Sequence, residues 1–562
     1  MVTIVALDPI KIPRKYLYQN ILAFALALPL FWPASISSAQ TTLAASSTVS
    51  KVWVADNGDG TYKNPILYAD YSDPDAIRAG DDFYMTASSF NAVPGLPILH
   101  SKDLVNWSLI GHALREQPPA DVYSKPQYGN GVWAPAIRYH YGEFYIFYSD
   151  PDYGIYLVKA KTPEGPWSEP LLVKKAKGWI DPCPLWDDDG KAYLVSAMAA
   201  SRSGIKSILV VSRMKPDGTG LLDDGVMVFD GHDKNPTVEG PKFYKRNGYY
   251  YILAPAGGVE TGWQLALRSK NIYGPYEQRV VLAQGKTAIN GPHQGAWVET
   301  ASGESWFIHF QDKGAYGRVV HLQPMKWIND WPVIGSDPGD HGTGEPVLAY
   351  KKPNVGKGWP INTPSDSDEF NENRMGLQWQ WQANPKPNWM FPAGTLGFMR
   401  LFNTPLPEGF QNFWDVPNLL LQKFPGPEFT ATTKVTFTPR AVGEKAGLIV
   451  MGLDYAYLSV KKTPNGLVVS QTICKDADKH SAERESTVIA LQGDTVYLRV
   501  RVPKDALTEF SYSTDGAKFT TVGERFPARQ GRWIGAKVGI FAVGTGIARE
   551  SGYADFDWFR FE

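Results

Sequence analysis

The stretch GEFYIFYS, residues 142–149, decides the fold, because its pattern occurs five times along the chain. In each copy a glycine or aspartate, two further residues and an aromatic residue begin a short apolar run. The other copies are DDFYMTAS (81–88), GKAYLVSA (190–197), GYYYILAP (248–255) and GESWFIHF (303–310). The aromatic anchors Tyr84, Tyr145, Tyr193, Tyr251 and Trp306 are 61, 48, 58 and 55 residues apart. This period fits one four-stranded blade, and five units close a ring.

The sequence between the copies supports the same interpretation. From residue 60 to 335, aromatic and β-branched runs alternate with Gly, Asp, Asn and Pro turns, and amphipathic helical periodicity is almost missing. We therefore predict an all-β protein with a five-bladed β-propeller over residues 60–335. A two-sheet sandwich is the competing interpretation, but sandwiches do not usually repeat an internal motif at this spacing.

The rest of the chain predicts a second domain. Residues 336–366 are rich in Gly, Pro, Lys, Asp and Ser, which is typical of a linker. Regular strands resume in residues 367–562, for example FTATTKVTFTP, KAGLIVMG and TVYLRVRV, without the blade motif. They predict a β-sandwich of jelly-roll type. Such modules often bind carbohydrate, and others only buttress a neighbouring domain.

The composition limits the partners. The 56 Lys and Arg residues nearly cancel the 57 Asp and Glu residues, so no charged field favours nucleic acid or an anionic membrane. Aromatic residues make up 13% of the chain, which suits turn-rich β structure and also sugar stacking. The two cysteines, Cys183 and Cys474, exclude a disulfide framework and a Cys-based metal site. We expect a neutral ligand.

The N-terminal residues predict export. Lys11, Arg14 and Lys15 precede an apolar run over residues 21–32, and small residues end at Ala39. This is the pattern of a signal peptide over residues 1–39. The alternative is an uncleaved membrane anchor, although the run is short for a full span. We expect a mature protein that is periplasmic or secreted and has no membrane segment.

The repeat also predicts which side chains meet. The first strand of a propeller blade begins at the central channel, so residues at one phase of the repeat converge there. Eleven or twelve residues before the anchors lie Asp73, Trp133, Asp181, Glu239 and Gln294, the last beside His293. Each of Asp73, Asp181 and Glu239 taken alone is better explained by a turn or a cap, but three carboxylates at one phase indicate a shared pocket.

Three converging carboxylates repel one another, so their pKa values must separate. One can then act as a base while another keeps a proton, which is what glycoside hydrolysis requires. Trp133 would supply a stacking wall. No zinc or EF-hand spacing, nucleophile elbow, Walker loop or dinucleotide fingerprint accompanies them. We predict no required cofactor and no metal at the site, and leave open a structural calcium ion in the channel.

At these motifs the sequence resembles glycoside hydrolase family 43, whose members include β-xylosidases and α-L-arabinofuranosidases built on a five-bladed propeller. The likeness covers roughly residues 60–335 through SDPD, FYMTASSF, VWAPAIRYHYGEFY, IDPCPLWDDDGKAYL and VEGPKFYKRNGYYY. The resemblance implies that Asp73 is the catalytic base, Glu239 the general acid and Asp181 the carboxylate that tunes the acid. It also implies that Phe90, Trp133 and Ala134 line the sugar pocket, with His293 and Arg318 near it.

From about Asp368 the chain resembles the concanavalin-A-like domain appended to the family's β-xylosidases, which makes Phe541 a candidate pocket contact. The resemblance further implies an exo-acting, inverting enzyme that releases α-L-arabinofuranose or β-D-xylose from oligo- or polysaccharides. The segments YADYSDPD and SSFNAVPGLPILHS favour arabinofuranose. The alternatives are a non-catalytic carbohydrate-binding propeller and a scaffold for protein partners. The oligomeric state is left open.

Overall fold

The computed structural model describes residues 49–547 and 549–562. The predicted signal peptide, residues 1–39, lies outside this part of the chain. None of the helices in the described part is both long and apolar enough to cross a membrane. These helices are short: α1 (Ala200–Ser203) and the 3₁₀ turns Val122–Ser124, Gly314–Tyr316, Gly394–Leu396, Phe413–Asp415 and Ala477–Lys479.

Five four-stranded antiparallel sheets form the first half of the protein, each from four consecutive strands. A short strand, β1 (Thr61–Lys63), precedes them. The five blades are β2 (Asp75–Ala79), β3 (Asp82–Thr86), β4 (Gly95–Ser101) and β5 (Trp107–Leu114); β6 (Trp133–His140), β7 (Glu143–Asp150), β8 (Gly154–Ala160) and β9 (Leu171–Lys175); β10 (Trp179–Trp186), β11 (Ala192–Met198), β12 (Ile208–Met214) and β13 (Val226–Asp230); β14 (Lys242–Arg246), β15 (Tyr249–Ala256), β16 (Trp263–Ser269) and β17 (Glu277–Leu282); and β18 (His293–Glu299), β19 (Ser305–Asp312), β20 (Arg318–Ile328) and β21 (Trp331–Ile334). The predicted five-bladed β-propeller is confirmed.

The repeat motif marks the same hairpin in every blade. Its leading glycine is the turn between the first and second strands, and its aromatic anchor lies in the second strand. In the last four blades this glycine has a positive φ, which side chains rarely adopt: Gly142 (81°), Gly190 (80°), Gly248 (75°) and Gly303 (83°). The second strands are buried on both faces, as in β7 and β11. The pattern therefore arose from turn geometry and blade-to-blade packing.

The segment between the two domains is ordered against the propeller. Its strand β22 (Ala349–Lys351) pairs with β1. Lys352 Nζ lies 2.5 Å from an Asp56 carboxylate oxygen and 2.8 Å from one of Asp103. Because both aspartates are buried, these ion pairs fix the segment to the first blade.

The C-terminal half is a sandwich of two sheets. Its strands are β23 (Met390–Ala393), β24 (Phe398–Phe402), β25 (Thr404–Pro405), β26 (Leu420–Lys423), β27 (Phe429–Thr438), β28 (Lys445–Met451), β29 (Tyr455–Thr463), β30 (Gly466–Cys474), β31 (Arg484–Leu491), β32 (Thr495–Val502), β33 (Leu507–Ser513), β34 (Thr520–Thr521), β35 (Phe526–Pro527), β36 (Lys537–Gly544) and β37 (Tyr553–Phe561). One sheet has the order β23-β24-β37-β27-β32-β33-β34 with β35 on β33, and the other has the order β25-β36-β28-β29-β30-β31 with β26 on β36. Alternating side chains of both sheets form the core, as the period-two pattern of β27 and β32 predicts.

The sandwich docks directly on the propeller. Val93 and Trp381 exchange backbone hydrogen bonds of 3.1 and 2.7 Å. The Asn384 side chain accepts from the backbone N–H of Gln117 and donates to its carbonyl oxygen. A second contact is made by the loop 529–536, where the backbone N–H of Ala536 donates to Ala315 O at 2.8 Å. This loop belongs to the sandwich and touches the propeller beside the channel.

Candidate active site

A residue with a positive φ lies at or near the start of the first strand of every blade. These residues are Asp73 (53°), Ala134 (32°), Asp181 (57°), Gly240 (56°) and Gln294 (32°). In the second, third and fifth blades the strand register shifts at this point, which is a β-bulge. A left-handed backbone costs a residue with a side chain about 1–3 kcal/mol, and such strain collects at functional sites. The repeated strain therefore points to one end of the channel as the site.

Asp73 is held as an acceptor by three donors. Ser88 Oγ and Ser72 Oγ donate to Asp73 Oδ2 at 2.5 and 3.0 Å. Arg318 donates from a terminal nitrogen to Asp73 Oδ1 at 3.2 Å and to Ser72 Oγ at 2.8 Å. Both Asp73 and Arg318 are buried. One charged donor and two hydroxyl donors therefore fix both carboxylate oxygens at a buried position, and this suits a base that must be held in place.

Glu239 has a different environment. Its side chain is 26% exposed, compared with 6% for Asp73. His293 Nε2 lies 3.0 Å from Glu239 Oε1, and the histidine itself is buried. A carboxyl group that faces the open mouth beside an imidazole can reach a departing oxygen. The two carboxyl groups therefore differ in solvent access and in partners, as an acid and a base require.

Asp181 interacts electrostatically with both Glu239 and Asp73. Burial raises its pKa well above the ordinary value of 3.8, and the negative charges of Glu239 and then Asp73 raise it further. The backbone N–H of Gly240, 2.8 Å from Asp181 Oδ2, and the charge of Lys242 oppose this shift. The three carboxyl groups thus act on one another within a single hollow. Asp181 contacts the strand that follows Glu239, which suits a tuning role.

We expect Asp181→Asn to stabilise the fold while lowering activity. The raised pKa means that the folded chain holds this proton more tightly than the unfolded chain does, so the stabilising contribution is lost as pH rises from below 3.8 through the folded-state pKa. Asparagine keeps the acceptor for Gly240 without the charge. The Tm of the variant should match that of the wild type at low pH and exceed it by a few degrees at pH 7–8, at roughly 2–4 °C for each kcal/mol. Thermal unfolding between pH 3.5 and 8 measures this difference. For the exposed control Asp224→Asn, the Tm difference from the wild type should not grow with pH. If the Tm of Asp181→Asn fell relative to that of the wild type as the pH rose, the electrostatic interpretation would be wrong.

Aromatic side chains form one wall of the hollow. The Phe90 and Trp133 rings meet edge to face, with centroids 6.5 Å apart. Phe90 and Ala134 are buried, whereas Trp133 keeps an exposed face. The backbone N–H of Ala134 donates to Ser88 Oγ at 2.7 Å, which ties this wall to the hydroxyl that holds Asp73. The wall and the base are therefore parts of one hydrogen-bonded unit.

The structure corrects the prediction for Phe541. Its side chain is fully buried in the sandwich, where it packs edge to face on Phe413 and Tyr457 at 4.9 and 5.2 Å. It lies in the middle of β36, all of which is buried, so its ring belongs to the domain core and not to the sugar pocket.

The sandwich contributes Trp533 instead. This side chain is 51% exposed, and its ring meets Trp133 edge to face at 6.4 Å. A Cβ placed on Gly129 would lie 2.3 Å from Arg532 Cγ, so the loop lies directly on the propeller segment before Trp133. The Trp133 indole N–H in turn donates to Gly129 O at 2.9 Å. The signal that could have indicated Trp533 is a tryptophan between glycines, GRWIG (531–535), in a sequence that otherwise forms strands.

We expect Trp533→Ala to raise KM about 10-fold with a small change in kcat, which corresponds to ~1.4 kcal/mol of lost stacking. The ring lies against the wall and not against the carboxyl groups, so it contributes to binding. Steady-state kinetics on a pentoside measures both constants. Phe391→Ala is the matched control, because Phe391 is an aromatic residue of the sandwich with a similar exposure, 53%. An unchanged KM for Trp533→Ala would place the ring outside the binding site.

We find no group of three or more His, Cys, Asp or Glu side chains arranged for a metal ion in residues 49–547 and 549–562. The buried His309 and His321 stack at 5.2 Å in the last blade, and burial lowers the pKa of His309 to about 4. Gln323 Nε2 lies 3.1 Å from His309 Nε2, so this pair is part of the buried polar packing of the last blade.

Hydrolysis of a sugar acetal needs one carboxyl group that delivers a proton and another that takes one from water. Glu239 and Asp73 differ in their hydrogen-bond partners and in their exposure, and both lie at the channel end of the propeller blades. The fold and the site together define an acid/base glycosidase of the β-propeller class.

The comparisons with known proteins narrow this class. Residues 62–332 match the family model of glycosyl hydrolases family 43, and residues 367–562 match that of the β-xylosidase C-terminal concanavalin A-like domain. The chain belongs to glycoside hydrolase family 43.

Similar proteins cover almost the whole chain. A putative β-xylosidase of Xylanibacter ruminicola is 40% identical over 498 residues, which is 88% of each chain. A non-reducing end α-L-arabinofuranosidase of Bacteroides ovatus is 29% identical over 528 residues, 89% of this chain and 94% of that one. The crystal structure of a xylan β-1,4-xylosidase from Bacillus halodurans matches with a TM-score of 0.78 at 26% identity, covering 89% of this chain and 99% of the other.

Proposed function

We propose that this enzyme removes single terminal pentose units from hemicellulose-type oligo- or polysaccharides. The observation that carries the proposal is the position of Trp533, which places a wall from the sandwich beside the wall of the propeller. A hollow closed on two sides by different domains accepts a chain end or a side branch, whereas cleavage within a chain needs an open groove. The predicted export of the chain, to the periplasm or outside the cell, suits a polymeric substrate.

The names of the relatives indicate a pentose as the sugar, although two different pentoses are named. The similar proteins are named as β-xylosidases and as an α-L-arabinofuranosidase. α-L-Arabinofuranose and β-D-xylopyranose present similar hydroxyl arrangements, and the aromatic wall of Phe90 and Trp133 suits either ring. We propose that both glycosides are hydrolysed, and the ratio of the two kcat/KM values defines the preference.

The mechanism proposed is a single displacement with inversion. Asp73, positioned by Arg318 and two serine hydroxyls, takes a proton from the water that attacks the anomeric carbon. Glu239, at the more open side, delivers a proton to the departing oxygen while the bond from that oxygen to the anomeric carbon breaks. Asp181, whose pKa is raised by burial and then by the charge of Glu239, is assigned the role of the residue that tunes this acid.

The test uses nitrophenyl α-L-arabinofuranoside and nitrophenyl β-D-xyloside in parallel. We expect the release of nitrophenol from both, and NMR in the first minutes should show α-D-xylose as the initial product of the β-D-xyloside. A β-anomer as the first product would replace inversion by retention. If neither glycoside is hydrolysed, the pentose assignment is wrong, and the non-catalytic carbohydrate-binding propeller becomes the better hypothesis.

A further inference from the structure

Asp70 is a buried carboxylate at the contact between the two domains, and no step of the proposed mechanism uses it. It is 5% exposed. Its Oδ1 accepts the backbone N–H of Arg318 at 2.9 Å, and its Oδ2 accepts the backbone N–H of Gly535 at 3.2 Å. One side chain of the propeller thus binds a residue of the propeller and a residue of the sandwich at the same time.

Each of these two bonds leads to a part of the site. Arg318 begins β20, and its guanidinium holds Asp73 and Ser72. Gly535 follows Trp533 by two residues in the same loop, so its position sets where the indole can lie. Asp70 is therefore hydrogen-bonded both to Arg318, which holds the base Asp73, and to the loop that carries Trp533.

The packing around Asp70 leaves little freedom for movement. A Cβ on Gly535 would lie 2.7 Å from the Gly317 nitrogen, and a Cβ on Gly317 would lie 2.6 Å from Asp70 Cβ. The next residue of the loop, Ala536, donates its N–H to Ala315 O at 2.8 Å. Because the two backbones touch, a shift of the loop must shift the start of β20, and the reverse also holds.

Two lysines of the sandwich add a charge reason for this contact. Lys537 is buried, and Lys423 faces the cavity between the domains. Burial, followed by the charge of Lys423, lowers the pKa of Lys537 to about 7, and Asp70 opposes this shift. Burial raises the pKa of Asp70, against the charge of Lys423 and the two N–H donors. Both shifts favour the neutral forms, so burial outweighs the attraction between these charges. Removal of the Asp70 carboxylate would leave the buried lysines without their compensating group, which is costly.

We propose that Asp70 is a positioning residue that couples the sandwich loop to the catalytic base, so that docking of the second domain sets the orientation of Arg318 and of Trp533 together. This inference rests on the proposed function only for its kinetic consequences. The hydrogen bond between Gly535 of the sandwich and Asp70 of the propeller then makes the sandwich part of the active site.

Asp70→Asn tests the coupling. Asparagine has the same shape but one acceptor oxygen, so its amide group opposes the second backbone N–H and leaves it without a partner. We expect kcat to fall about 10-fold, because Arg318 no longer holds Asp73 in place. We expect KM to rise about 5-fold, because the loop that carries Trp533 becomes more mobile. In this background Trp533→Ala should raise KM less than about 3-fold, instead of 10-fold, since coupled residues are not additive.

A measurement that does not depend on turnover separates this inference from the proposed function. Hydrogen exchange followed by mass spectrometry should show faster exchange in peptides 529–537 and 314–319 of Asp70→Asn, by at least about 10-fold (~1.4 kcal/mol). Asp368→Asn is the matched control, because Asp368 is a largely buried carboxylate that holds the sandwich through Phe370 N–H and Trp379 Nε1. Both peptides should be unchanged in this control.

Gly535→Ala gives a second variant that keeps the carboxylate. Its added methyl group meets Gly317 and must lift the loop, so it should raise KM as Trp533→Ala does and speed exchange in both peptides. Unchanged exchange in Asp70→Asn, or equal KM effects of Trp533→Ala with and without Asp70→Asn, would overturn the coupling. Should Asp70→Asn fail to fold, full activity and slow exchange in Gly535→Ala would overturn it as well. Absence of any pentoside hydrolysis by the wild type would reject the proposed function, while the exchange data still decide the coupling.

Discussion

Asp73→Asn is expected to lower kcat about 10³–10⁴-fold on every pentoside, whatever its leaving group, because activation of water is then missing from the reaction. Asparagine has nearly the shape of aspartate, so Ser88 and Ser72 still find an acceptor oxygen, and the variant should fold. Steady-state assays on a nitrophenyl pentoside and on an unsubstituted disaccharide measure the loss. The two substrates should lose activity by similar factors.

The reason lies in the partners of Asp73. Arg318 and the two serines donate to both of its carboxylate oxygens, so the group is held as an acceptor, as a base that takes a proton from water must be. Asp82→Asn is the control, since Asp82 belongs to the same blade but pairs with His100 and Lys102 at the other end of the sheet. If Asp73→Asn were to retain activity on the nitrophenyl pentoside and lose it only on the disaccharide, Asp73 would be the acid, and the roles would have to be exchanged.

The propeller and its axis could be predicted from the sequence because both follow from local rules that repeat. A glycine turn and an aromatic strand occur once per blade, so counting back from Tyr145 or Tyr193 leads to the channel each time. The counting places Trp133 and Glu239 at the phase of Asp73, whereas the residues with a positive φ in those blades are their neighbours Ala134 and Gly240. In short, mostly apolar strands the hydrophobic pattern does not show where a bulge inserts its extra residue.

The contribution of the second domain could not be predicted in the same way. Phe541 lies in a run of apolar residues that fills the sandwich core, and its neighbours in sequence give no sign of which face meets the propeller. Trp533 lies in a glycine-flanked loop, whose position is set by contacts with Gly129 and Gly317 from distant parts of the chain. Docking of two domains depends on such long-range contacts, so local patterns carry little information about it.

The linker shows the same limit. Its Gly, Pro and Ser content indicates irregular backbone, and the structure has little regular secondary structure there. Its order comes from Lys352, whose ammonium group reaches Asp103 of the first blade and Asp56, which precedes β1. Composition describes the backbone of such a segment, whereas its attachment depends on charges more than two hundred residues away.

Glu239→Gln is expected to separate substrates that Asp73→Asn treats alike. Glutamine cannot deliver a proton, so kcat on an unsubstituted pentose disaccharide should fall about 10²–10⁴-fold. A dinitrophenyl pentoside has a leaving group that departs without a proton, and its hydrolysis should fall far less. The measurement is the ratio of the two losses in the same variant. The variant should still bind the disaccharide, because the walls formed by Phe90, Trp133 and Trp533 are untouched.

The position of Glu239 supports this expectation. Its side chain is partly exposed at the mouth, where a departing sugar must leave, and His293 fixes one of its oxygens from the buried side. Glu277→Gln, an exposed glutamate on the outer strand of the same blade that pairs with Arg268, controls for the loss of a charge. Equal losses on both substrates would mean that Glu239 does not protonate the leaving group. The proton would then have to come from another group, and the division of roles among the three carboxyl groups would be wrong.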